Sequence, residues 1–163
     1  MALSRALLAA LLALALSCGA SPLGLQPAVA SFFKLQTAVA KVDCAAWVAL
    51  FNDTFTLEDP NGSDPITSKA DLLACCEGTN AVFSTISLLP VSAFPAGDGA
   101  AVVWKCNSTA PALENNGTAC VLNFTGVDVF STTQDGSLIT AMHGFFDTSL
   151  PADQLKPCTP GPL

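Results

Sequence analysis

The chain of 163 residues contains no tyrosine, one histidine (His143) and one arginine (Arg5). Without tyrosine there is no phenol to serve as acid or oxyanion donor. Without an arginine beyond Arg5 there is no bidentate guanidinium clamp for phosphate or carboxylate. A single imidazole excludes histidine-rich metal sites and any mechanism that needs two of them. Cations are scarce as well. Lys plus Arg total 6 against 13 Asp plus Glu, a net charge of −7. That balance argues against nucleic acid and against anionic membrane surfaces as partners.

What is present points to export. Residues 1–20 read as a signal peptide: Arg5 is the positive start, Ala6–Leu16 an apolar run too short to span a bilayer, and Ser17-Cys18-Gly19-Ala20 a small-residue cleavage region. A lipoprotein signal acylated at Cys18 is the alternative. Past this leader the expectation is a secreted or lumenal protein with no membrane contact. Six cysteines would follow it (Cys44, Cys75, Cys76, Cys106, Cys120 and Cys158), an even number that suggests disulfides. Cys75 and Cys76 should not pair with each other, because adjacent Cα atoms lie ~3.8 Å apart and an unstrained bridge needs about 4.4 Å. Cys106 and Cys120 flank a Gly/Asn/Pro-rich loop and suggest a cross-hairpin bridge, worth roughly 3 kcal/mol. Cys44 is expected to meet Cys75 or Cys76, and Cys158 to pin the tail. CxxC pairs are absent, so neither a metal nor a cofactor is expected. Five N-x-S/T sequons, at Asn52, Asn61, Asn107, Asn116 and Asn123, are candidate glycosylation sites and agree with a secretory route.

The pattern behind the leader is helices first and strands after. Gln26–Val42 has helical composition with Pro27 near its start. Asp43 is placed to cap a second helix through Phe51, and Ser68 to cap a third, Lys69–Glu77, with Gly78 as its stop. Strands are expected at Thr54–Asp59, Val82–Leu89 (ended by Pro90), Ala100–Cys106, Thr118–Phe130 and Ser137–Phe146. The fold class is therefore α+β: three N-terminal helices packed on a strongly curved, mostly antiparallel sheet. The domain spans 21–147, and the Pro-rich residues 148–163 form an extended tail.

Two acidic residues break the pattern. Asp59 shares strand parity with Phe55 and Leu57, a face that should be apolar. It is either a turn-starting Asp before Pro60 or a site. Asp128 shares a face with Cys120, Leu122, Phe124, Gly126 and Phe130. Two carboxylates on apolar faces, if they meet, form an acid/base pair, because desolvation and mutual repulsion push their pKa values apart. Phe33, Trp47, Phe55, Leu57, Trp104 and Phe124 are the candidate pocket lining. His143 has parity opposite to Met142 and Phe146, so it is expected outside the pocket.

The stretch DCAAWVALFNDTFTLEDPNGSDPITSKADLL (43–73) resembles the second helix, first strand and third helix of Δ5-3-ketosteroid isomerases. These belong to the cone-shaped nuclear-transport-factor-2-like (NTF2-like) superfamily, together with the SnoaL-like polyketide cyclases. VDVFSTTQDGSLITAMHGFFD (127–147) is similar to the last two strands of that family, and the likeness covers roughly residues 25–147. It implies that Asp59 is the general base and Asp128 a protonated oxyanion-hole acid. The family's oxyanion tyrosine would fall near Phe32–Leu35 and has no counterpart. The lack of an Arg in the domain argues against an Asp-Arg-Asp site like that of limonene epoxide hydrolase. Too few His and no Tyr argue against a site like that of scytalone dehydratase. The function implied is a double-bond shift in a small apolar carbonyl compound by Asp-mediated proton transfer. The second reading is a non-catalytic secreted pocket protein that binds a small hydrophobic ligand. A homodimer through the sheet is the further partner that this fold allows.

Overall fold

The computed structural model describes residues 23–111 and 119–155. The signal region, Asn116 and Cys158 lie outside them. The described chain runs α1 (Pro27–Leu35), α2 (Cys44–Ala49), β1 (Phe51–Glu58), α3 (Lys69–Val82), β2 (Leu88–Ala96), β3 (Gly99–Ala110), β4 (Cys120–Thr132), β5 (Ile139–Phe145) and α4 (Ser149–Leu155). The strands form one open sheet in the order β1-β5-β4-β3-β2. Only the β1–β5 pair is parallel, and the other three pairs are antiparallel. The class is α+β, and β1 sits at the sheet edge. Among the described residues two helices precede β1 and a third follows it.

Local chemistry explains most of the boundaries. Asp43 caps α2 by accepting the Ala46 N–H at 3.0 Å. Ser68 caps α3 by accepting the Asp71 N–H at 3.1 Å, and its hydroxyl donates back to the Asp71 carboxylate at 2.6 Å. Helix α1 is shorter than its composition suggested. Ala38 takes a left-handed φ of 55°, and Val39 then bridges Ile86 in strand fashion, so the helix cannot reach Val42. Gly78 does not stop α3. The helix continues to Val82 because Asn80 ties its last turn to Val42, accepting the Val42 N–H at 2.8 Å and donating to the Val42 carbonyl at 2.9 Å.

Three further expectations are corrected. Strand β2 starts at Leu88 rather than Val82 and runs through Pro90 and Pro95. It is an edge strand with a register shift between Pro90 and Ser92, so the missing proline N–H groups break no ladder. The tail is not all extended, because α4 docks on β4. Gln154 accepts the Asn123 N–H at 2.8 Å and donates to its carbonyl at 3.0 Å, and so covers β4 where β5 no longer reaches. The Cys106–Cys120 bridge does not form. In the β3–β4 register Cys106 faces Phe124 and Cys120 faces Ala110, an offset of about 13 Å along the strands. Cys106 and Cys75 are free thiols, and Cys120 is disulfide-bonded elsewhere. Cys44 bridges Cys76 between α2 and α3, with Cα atoms 5.7 Å apart.

The core lies between the helices and the inner face of the sheet. Phe32 packs edge-to-face on Phe33, Phe51 and Phe130 at centroid distances of 5.3, 6.5 and 5.1 Å. Phe55 extends the cluster through Phe51 at 5.2 Å.

Candidate active site

Strand β4 presents Leu122, Phe124, Gly126, Asp128 and Phe130 to the helices, the face read from the sequence. Asp128 is 1% exposed and is the one ionisable side chain buried this deeply among the described residues. On the neighbouring strand its register partner is Gly144. Strand β1 ends beside that point, and Asp59 follows it, ahead of a turn fixed by the Asn61 N–H bonding the Gly144 carbonyl at 2.6 Å. A methyl group on Gly144 would lie 2.3 Å from Asp59 Oδ1 and 3.4 Å from Asp128 Oδ1. The two carboxyl groups therefore meet over a glycine. Any other residue at 144 would occupy the space that they share.

Both carboxyls line one cavity of about 180 Å³. Trp47, Leu57, Trp104 and Phe124 line it too, while the candidates Phe33 and Phe55 are buried in the aromatic cluster instead. Phe32 of α1 lines it as well. Met142 and Phe146 also line it and share inward parity with Gly144, a pattern by which the glycine could have been found. Less foreseeable were Cys75, Cys106 and Ser108, which enter the wall from α3 and the far end of β3. Cys106 Sγ donates to Ser108 Oγ at 3.3 Å.

The environment separates the two acids. Desolvation pushes the Asp59 carboxyl up to about 6. Asp59 is an exposed residue that also lines the cavity, which places its carboxyl at the rim. Asp128 is raised well above the usual carboxylate range, first by desolvation and then by the charge of Asp59, with a smaller opposing effect from the Trp104 indole. Geometrically neither Asp128 Oδ1 nor Trp104 Nε1 completes a hydrogen bond, and the Trp47 Nε1 in the same wall is unpartnered too. The two carboxyls are thus set apart, the rim one pushed up to about 6 and the buried one driven more strongly toward its neutral form. That combination can remove a proton from carbon and hold the oxygen on which charge then gathers.

His143 is not in this wall. Its Nδ1 lies 3.8 Å from the Glu58 carboxylate, with which it is paired in register. Of the sequons, Asn61, Asn107 and Asn123 are exposed and Asn52 is half-buried. Asn107 and Asn123 are direct cross-strand partners.

An open mixed sheet of this order with helices packed on it is consistent with the NTF2-like fold. The SnoaL-like domain model matches residues 29–142, and the chain belongs to that family. Solved structures agree in fold. A protein assigned as a SnoaL-like polyketide cyclase from Shewanella denitrificans has a TM-score of 0.66 at 13% identity, over 80% of this chain and 96% of that one. The epoxide hydrolase/cyclase-like enzyme SalBIII, concerned with pyran ring formation in the polyether salinomycin, gives 0.58 at 23%, over 76% and 90%. A protein of ketosteroid-isomerase-like fold from Catenulispora acidiphila, in complex with trimethylamine, gives 0.59 at 16%, over 85% and 99%. No curated protein sequence matches the chain. Among the described residues no helix is long and apolar enough to cross a membrane, and the Cys44–Cys76 disulfide is compatible with an oxidising compartment.

Proposed function

We propose that this protein catalyses proton transfer at the carbon next to a carbonyl group in a small apolar compound, the chemistry of a double-bond shift. Asp59 acts as the base. Its carboxylate takes the α-proton, the C–H electron pair moves into the forming C=C bond, and the carbonyl π pair moves to oxygen. Asp128, protonated, donates a hydrogen bond to that oxygen. The oxygen pair then re-forms the C=O bond, the enolate C=C pair shifts to the α,β position, and the former β,γ π pair takes the proton back from Asp59 at the γ-carbon, so that the conjugated ketone leaves. Every proton and electron pair is accounted for without a cofactor.

The observation that carries this reading is the convergence of Asp59 and Asp128 over Gly144 in one apolar cavity. The cavity also bounds the substrate. An apolar void of ~150 Å³ holds benzene, so about 180 Å³ suits a single ring with small substituents rather than a fused four-ring skeleton. The processed, disulfide-intact protein should interconvert cyclohex-3-enone and cyclohex-2-enone, followed by ultraviolet absorbance, and exchange their α-protons in D2O. Both activities should fall with Asp59→Asn. Turnover and exchange no faster than buffer, or equal in the variant, would contradict it and leave a ligand-holding pocket. A secreted, glycosylated form belongs to the same proposal, and a shift in mass on treatment with a glycan-removing amidase would test it.

A further inference from the structure

The wall opposite α1 holds a donor that the sequence reading did not assign. Trp104 is 3% exposed, lines the cavity, and has an Nε1–H with no acceptor. An indole nitrogen can only donate, so no rearrangement of its own protons satisfies it. Its placement is specific. Trp104 on β3 is the register partner of Gly126 on β4, and a methyl group on Gly126 would sit 2.3 Å from Trp104 Cζ2. The indole ring thus fills the space that a side chain at Gly126 would need, two residues from Asp128 on the same face. The Asp128 Oδ1 in the same wall is buried and unpartnered as well.

We propose that the Trp104 Nε1–H and the Asp128 carboxyl together form a two-donor site for a ligand oxygen carrying negative charge, with the indole supplying the donor that no tyrosine can supply here. In the structure the indole N–H completes no hydrogen bond to the Asp128 carboxyl or to any other group. An enolate or phenolate oxygen entering between them accepts from both, and Gly126 is the residue that makes room for this arrangement. The inference rests on the proton-transfer reading for its role in catalysis and for the proton on Asp128, while the placement of the oxygen site stands on two unpartnered polar groups in one cavity wall.

Phenol and toluene test it, since they share a shape and differ in the oxygen. Calorimetric titration should show Trp104→Phe weakening phenol binding about 10-fold or more while toluene affinity holds within about 2-fold, as expected for loss of one hydrogen bond to a charged or polarised oxygen. Equal losses for both ligands, or none for phenol, would overturn it. Should Trp104→Phe fail to fold, the Trp47→Phe protein leaves a single indole N–H resonance. Phenol should move that resonance downfield and toluene should not, and a resonance indifferent to phenol overturns the proposal. Phenol binding through Trp104 without α-proton exchange would sink the proton-transfer reading alone. Exchange without an indole shift would sink this inference alone.

Discussion

Gly144 stands opposite Asp128 across the β4–β5 ladder, and the absence of a side chain at 144 is what lets the Asp59 carboxyl approach. Gly144→Ala should therefore act on the site before it acts on the fold. The added methyl must displace Asp59, and a carboxylate shifted by about 1 Å can cost roughly 100-fold in rate. We expect kcat to fall by about that factor, with the urea unfolding midpoint lowered only modestly. Steady-state kinetics set beside urea melts would distinguish this from simple destabilisation.

The pH dependence of catalysis should have two limbs of different origin. Activity needs Asp59 ionised, so it should rise as pH climbs through about 6. It also needs Asp128 protonated, and should decline only where that strongly raised acid finally ionises. Asp128→Asn keeps a neutral donor and should remove the alkaline limb while lowering the rate. Asp128→Leu removes the donor and should cost about 10²–10³ in kcat. A rate–pH profile of the three proteins checks both statements.

Stability should run the opposite way with pH. Both carboxyls are raised in the folded state, so between their unfolded values near 4 and their folded values the native protein holds more protons than the unfolded chain. Folding is then favoured in acid and loses free energy as pH rises, first through the Asp59 window up to about 6 and further as Asp128 ionises. Solvent at the rim trims the Asp59 share. Thermal melts from pH 4 to 8 should show Tm falling with pH, and a flatter slope in Asp128→Asn.

The Cys44–Cys76 bridge closes a sequence separation of 32 between α2 and α3, and Cys76 itself forms part of the cavity wall. Loop-closure entropy puts its contribution at about 3–4 kcal/mol. Replacing both cysteines by serine should lower the denaturant midpoint accordingly and weaken ligand binding in the cavity. Replacing the exposed Cys75 should leave the midpoint nearly unchanged, since that thiol bridges nothing.

Much of the frame was readable because local chemistry and tertiary packing agree there. Asp43 and Ser68 cap helices as their side chains suggest, and β4 alternates so cleanly that its buried face could be written down from parity. Where the reading slipped, a distant partner decided the outcome. Gly78 looked like a helix stop, but Asn80 anchors another turn to Val42. Pro90 looked like a strand end, but an edge strand tolerates it. Cys106 and Cys120 looked like a hairpin bridge, but the strand register sets them four residues apart. For the site, each acid was conspicuous in isolation. Gly144 and Gly126 were not, because a missing side chain signals nothing until the neighbour that fills its space is known.

The two protonation states can be read directly by following the aspartate carboxyl carbons by 13C NMR as a function of pH. The account predicts that Asp59 titrates near 6, that Asp128 keeps its proton through neutrality, and that Asp59→Asn lowers the Asp128 value by removing a facing charge. Two carboxyls that both titrate near 4, each indifferent to the loss of the other, would contradict it.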